Sequence, residues 1–138
     1  FPYTTLFRSM KSVTESCVIS QPKEVVFDFL SNFENMPKWS TKFVQSIKKI
    51  DGKNKAVTPL GEVFVRIDSD KKSGVIDIFA GPTEDQMSPA FMRVISFSGN
   101  SCGVTFTFFK WPETTDQMWE MFCDWIKIEV GNIKKLFS

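Results

Sequence analysis

The 138-residue sequence contains no histidine. That absence removes Ser-His-Asp and Cys-His nucleophile activation and the imidazole ligands of common metal sites. Any proton transfer falls to carboxylates, Lys, Arg, Tyr or ordered water, which weighs against an enzyme. Cysteine is scarce too: Cys17, Cys102 and Cys123 are odd in number and far apart. With no C-x-x-C pair, neither a disulfide framework nor a zinc site is expected, and reduced thiols suit a cytoplasmic protein. No metal and no cofactor is implied. No apolar run approaches the roughly 20 residues that span a bilayer. After Met10 the chain runs Lys11-Ser12-Val13-Thr14-Glu15, an early acid without an apolar stretch, which does not read as a secretory signal. An excess of charge is missing as well, the formal net charge being +1. Basic residues are spread along the chain, so a phosphate backbone meets no concentrated face and nucleic acid is not an expected partner.

What the chain has is phenylalanine, 15 of them, in a length that suits one domain. So many rings fill a dense core or line an apolar cavity; composition alone favours the core. Residues Phe1 to Ser9 stand apart. Back-translated as TTT CCC TAC ACG ACG CTC TTC CGA TCT, they reproduce the end of a common sequencing adapter. Residues 1–9 are therefore expected to be an assembly artefact, with the domain running over 10–138 and Met10 as its start. The other reading is a native apolar arm.

Ser12 to Ser20 alternates loosely and predicts a strand. Pro22 then suits a helix start, and Val26, Phe29, Leu30 and Phe33 follow at helical spacing. Asn35-Met36-Pro37-Lys38-Trp39 breaks this helix and predicts a second short one. Strands are expected at Phe43 to Ile50, Glu62 to Asp68, Val75 to Phe79, Phe91 to Ser98 and Val104 to Phe109, joined by turns at Asp51-Gly52, Lys72-Ser73-Gly74 and Gly99-Asn100-Ser101. A loop carrying Gly81, Pro82 and Pro89 interrupts the series. Consecutive strands with short turns make an antiparallel meander. Thr114 and Gln117 form a T-x-x-Q capping box for a last, long helix. Its stripe is Trp119, Cys123, Ile126, Val130, Ile133 and Phe137, widened by Phe122.

That order is carried by VISQPKEVVFDFLSNFENMPKW near the start, by DSDKKSGVIDIFAGP and FMRVISFSG in the middle, and by GVTFTFFKWPETTDQMWEMF running into IEVGNIKKLF. It resembles the START-like (SRPBCC, helix-grip) superfamily, and within it the small bacterial polyketide-cyclase/dehydrase-like branch. The resemblance implies an α+β fold, a curved antiparallel sheet of six or seven strands around the C-terminal helix, with two short helices after the first strand. It also implies an apolar cavity between sheet and helix. Related proteins carry lipids, sterols, hormones, quinones or polyketides, and some catalyse cyclisation, dehydration or hydrolysis. The segment Asp51-Gly52-Lys53-Asn54-Lys55 is not the glycine-rich loop of plant pathogenesis-related members. The chain is also shorter than full-length lipid-transfer forms, and both departures speak against lipid-transfer and hormone-receptor roles.

Candidate ligand-binding residues are Trp39, Asp77, Arg93, Phe106, Trp119, Phe122 and Ile126. On Phe91 to Ser98 the polar Ser96 and Ser98 share a face with Met92 and Val94, which would turn Arg93 inward. A guanidinium there needs an anionic partner or ligand oxygen, and Asp77 on the preceding strand is the natural candidate. The opposite parity stays open, because Ile76 and Ile78 compete with Val75 and Phe79 for the inside. Trp39 either caps the cavity mouth, its indole N–H free for a ligand, or anchors the core. Glu129, at the edge of the helix stripe, reads as a solvated carboxylate more readily than as a cavity group. Met121 and Ile128 on the helix's polar side leave monomer and weak homodimer both open.

Three functions compete. The first is binding, sequestration or carriage of a small hydrophobic molecule. The second is a metal-independent cyclase, dehydratase or hydrolase acting on a polyketide-like or other apolar substrate, with Asp77 as acid/base and Arg93 stabilising an enolate. The third is a protein-interaction module of the chaperone-activator kind, which requires a filled cavity and an exposed apolar patch.

Overall fold

A computed structural model describes residues 10–138; the adapter-like segment Phe1 to Ser9 lies outside them. Strand β1 (Ser12–Ile19) leads into helix α1 (Lys23–Leu30), a single 3-10 turn (Phe33–Asn35) and the short α2 (Met36–Trp39). Six strands follow: β2 (Ser46–Ile50), β3 (Lys53–Thr58), β4 (Gly61–Asp70), β5 (Val75–Thr83), β6 (Gln86–Ser98) and β7 (Ser101–Phe109). Helix α3 (Asp116–Leu136) completes the chain. The strands form one antiparallel sheet in the order β1-β7-β6-β5-β4-β3-β2, so β1 closes the meander by pairing with the last strand, Cys17 opposite Val104.

One face of this curved sheet is covered. It presents Ile76 and Ile78 from β5, Met92 and Val94 from β6, and Val104 and Phe106 from β7, all buried in one cluster with Ile126, Val130 and Ile133 of α3. Helix α1 adds Val26, Phe27 and Leu30 to the same cluster. Alternate side chains of the strands therefore meet a 3.6-residue stripe on the helix, which is how a sheet and a helix share one core. No helix among the described residues is long and apolar enough to cross a membrane.

The sequence expectation and the structure differ in four places. Strand β3 was not expected, because Lys53, Asn54 and Lys55 hide its alternation and only Ala56 and Thr58 are buried. Strand β2 begins at Ser46 and not at Phe43, since the Phe43 amide points at a helix side chain. Strands β5 and β6 continue through the expected loop. Pro82 falls where the register shifts between Ala80 and Thr83, the kind of irregularity that tolerates proline within a sheet. The α3 cap is Thr115, whose Oγ1 accepts from the Met118 amide at 3.1 Å, because the Thr114 amide already closes a turn on the Trp111 carbonyl. Gly74 is dictated by position: at φ 77° its Cα faces the Val94 carbonyl, and a Cβ would lie 2.1 Å from that oxygen.

Candidate functional site

Between the covered face and α3 the core leaves a cavity of about 160 Å3. Ile78, Ala80 and Ala90 floor it, and the small alanines are what leave the space open. Phe106 and Phe108 of β7 form one wall, Met36 and Trp39 of α2 with Phe43 another, and Phe122 and Glu129 of α3 the roof. Ser88, Pro89, Phe109, Trp111 and Thr114 complete the lining. The aromatic walls are edge-to-face packed. Trp39 meets Phe106 at 5.6 Å and 73°, Phe106 meets Phe108 at 4.9 Å, and Phe108 meets Phe122 at 6.3 Å. Such pairs hold rings in fixed orientations, so the walls are preformed.

The cavity holds an acid. Glu129 is 1% exposed, and its Oε2 accepts from Ser40 Oγ at 3.1 Å and from the amides of Lys42 at 3.2 Å and Phe43 at 3.0 Å. Oε1 carries no protein hydrogen bond among the described residues, and Glu129 lines the cavity. Burial disfavours the charged form, and the three donors only partly offset it. The carboxyl is pushed up from 4.5 to about 7. One turn along the helix, Asn132 Nδ2 donates to the Trp39 carbonyl at 3.0 Å and to Thr41 Oγ1 at 2.8 Å. Two α3 side chains thus hold the segment that leaves α2.

Trp39 is fully buried, and its indole Nε1 has no hydrogen-bond partner. An unpaired buried N–H costs free energy, which the packing around the ring offsets.

Of the residues singled out from sequence, Trp39, Phe106 and Phe122 line this cavity. Trp119 and Ile126 are buried on the same helix but belong to the packing beside it, outside the wall. Asp77 and Arg93 are not among the cavity's lining residues. Arg93 is exposed on the open face and donates to the Ser73 carbonyl at 3.0 Å. Register places it opposite Val75, whereas Asp77 lies between Phe91 and Asp68. Burial first, and then the Asp68 charge, push the Asp77 carboxyl up. The physical reason is parity: Ile76, Ile78, Met92 and Val94 take the covered face, and Ser96 and Ser98 share their parity only at the strand's end, where both are exposed.

Glu129 is the residue that the sequence reading set aside. Its signal was present, since it stands three residues after Ile126 and four before Ile133, inside the buried stripe. Met121 is half-buried and Ile128 exposed. The three thiols are free, and burial raises each of them, which makes them poor nucleophiles. Among the described residues no cluster of three His, Cys, Asp or Glu side chains stands together as a metal site requires.

No protein-family model and no curated protein sequence matches the chain. Solved structures do. XoxI from Bacillus cereus superposes with a TM-score of 0.70 at 16% identity, over 91% of this chain and 94% of its own. The ZhuI aromatase/cyclase from Streptomyces sp. R1128 gives 0.67 at 12% identity, over 92% and 93%. A point mutant of Thalictrum flavum norcoclaurine synthase, in complex with a transition-state analogue, gives 0.66 at 11% identity, over 93% and 94%. At such identities the likeness concerns architecture, and with the sheet order and the cradled α3 it fixes that architecture: the chain has the helix-grip fold.

Proposed function

We propose that the protein binds, sequesters or carries a small hydrophobic molecule in the cavity between the sheet and α3. The observation that carries this reading is an aromatic-walled space of about 160 Å3 lined by one acid, Glu129, whose Oε1 receives no protein hydrogen bond among the described residues. An apolar cavity with few, placed polar groups is the usual form of a small-molecule site. Trp39, Phe106 and Phe122 make contact in this reading, while Trp119 and Ile126 hold the roof from behind. The domain spans 10–138, works in the cytoplasm as a monomer or weak homodimer, and needs no cofactor. Native mass spectrometry of freshly purified protein tests it, with Ala90→Phe as a cavity-filling control. A co-purified or added apolar small molecule should be retained by the parent and lost by the variant. An empty protein that takes up no apolar compound, or equal retention by the variant, overturns the reading.

A second reading has its own observation. A buried carboxyl that titrates at about 7 is suited to give and take protons, so Glu129 replaces Asp77 as the acid/base of a cyclase- or dehydratase-type enzyme. The names of the two enzyme neighbours, an aromatase/cyclase and a norcoclaurine synthase, support it. Product formation that Glu129→Gln abolishes while binding persists would favour this reading over simple carriage. The interaction-module reading requires a filled cavity, and the open one weighs against it.

A further inference from the structure

Among the described residues one titratable side chain lines the cavity, and it is Glu129. Ser40, Lys42 and Phe43 take its Oε2, and no protein group among the described residues donates to Oε1. The side chains that share the lining are mostly apolar, with Ile78, Ala90, Phe106, Phe108 and Phe122 among them. A charge on Oε1 is therefore solvated by what occupies the cavity or not at all. A space of about 160 Å3 has room for water beside that oxygen, water's share of the liquid being about 30 Å3. The same space suits one benzene-sized molecule, which an apolar cavity of about 150 Å3 accepts. Water solvates a carboxylate; an apolar ring does not. Seating the ring strips Oε1 of solvent and disfavours its charge further. By reciprocity, a proton on Glu129 favours the ring by the same factor.

The charges around Glu129 do not compete with this coupling. The segment from α2 brings Lys38 and Lys42, both exposed, and Lys42 reaches the carboxyl only with its amide. Helix α3 itself brings the half-buried Cys123 and the exposed Asp124 and Lys127. Strand β1 brings Glu15 and Cys17, both half-buried, with Glu15 opposite Phe106 in register. The lining residues of β5, β6 and β7 carry no titratable group. None of these charges sets the acidity of Glu129: burial pushes the carboxyl up to about 7 against its three hydrogen bonds.

We propose, on the footing of the binding reading above, that the cavity takes up an uncharged, donor-free apolar ring together with a proton on Glu129, so that pH regulates its occupancy. The neutral acid receives such a ring, and the ionised acid resists it.

Isothermal titration of the full chain with toluene tests this, at about pH 6 and about pH 9, on either side of the folded titration. Affinity should be about tenfold higher in the acidic sample, which corresponds to a complex whose carboxyl titrates one pH unit higher. Binding between these limits should take up protons, read as heats that change with the ionisation enthalpy of the buffer. Glu129→Gln, neutral throughout, should bind toluene equally well in both samples and take up no proton. The buffer comparison uses the parent chain, so it decides the matter even where the variant fails to fold. Equal affinity in the two samples without proton uptake, or a pH dependence that survives in a folded Glu129→Gln, overturns the coupling while leaving an apolar-ligand site standing. Failure of toluene to bind in either sample overturns both.

Discussion

The two faces of the sheet handle polar groups in opposite ways. On the open face charges are many and wet: Lys48 and Lys55 reach Glu62 at 2.6 and 3.4 Å, and Arg66 meets Asp68 at 3.2 Å while stacking over Phe79 at 4.3 Å. Apolar side chains stand among them, with Phe97 58% exposed and its ring laid over Gly103. On the covered side the buried polar groups are few, chiefly the Glu129 carboxyl, the Ser40 hydroxyl that it accepts from, and the Trp39 indole N–H. Exposed ion pairs contribute little because water screens them and side-chain ordering opposes them. A lone buried acid has no such buffer. Polarity is plentiful where it matters least and rare where each atom counts.

The sharpest way to break this contrast is to remove a large side chain from each face. Trp39→Ala should cost about 3–5 kcal/mol in urea unfolding, as for large buried aromatics generally. Phe97→Ala, on the open face, should stay within about 1 kcal/mol. Comparable losses would mean that the open face is covered in solution.

Acidity comes next. An unfolded Glu129 titrates near 4.5 and the folded one at about 7, so between these values the folded chain binds the extra proton. Stability from this group is fully present below about 4.5, falls as pH rises through about 7, and is then level. The loss is on the order of 3 kcal/mol for the buried group. Unfolding measured from acid to mildly alkaline pH should show that slope in the parent, and Glu129→Gln should flatten it. Parallel slopes would show that the acid is not perturbed in the folded state.

Ser40→Ala is smaller. Removing one donor from Oε2 should cost about 1–2 kcal/mol above neutrality, less where the carboxyl is protonated, and raise the Glu129 titration further. An NMR titration of the side-chain carboxyl reads this directly; an unmoved or lowered midpoint would remove Ser40 from the site.

The smallest effects belong to the open face. Arg93→Met and Asp77→Asn should each lie within about 0.5 kcal/mol of the parent, with no coupling in a double-mutant cycle. A coupling near 1 kcal/mol or above would bring the two residues together after all.

Most of the architecture was legible because it follows from periodicity. The stripe Trp119, Ile126, Val130 and Ile133 marked the face of α3 that the structure buries, and Pro22 with Val26 and Leu30 marked α1. Strand β3 was illegible, because an edge-proximal strand of lysines and asparagine has no apolar rhythm to read. The parity of β5 and β6 was ambiguous for a related reason. Val75, Phe79, Phe91 and Phe97 put apolar atoms on the open face as well, so alternation alone does not say which side the helix covers. Trp39, Phe106 and Phe122 line the cavity because aromatics on the covered side pack inward. Glu129 was set aside because a carboxylate is ordinarily solvated, and only the amides of Lys42 and Phe43, invisible in sequence, explain how it is held.

Glu129 and Asn132 pin the segment from Trp39 to Phe43 against α3 with five hydrogen bonds. The facing wall is fastened far more loosely. Among the described residues, the β5–β6 hairpin and the connection from β7 to α3 share the exposed Ser88 Oγ to Glu113 Oε1 contact at 3.4 Å. The molecule is therefore built like a purse with one stitched side and one clasp. In amide-exchange experiments Lys42 and Phe43 should rank among the slowest non-strand amides, while Asp85 to Met87 exchange quickly.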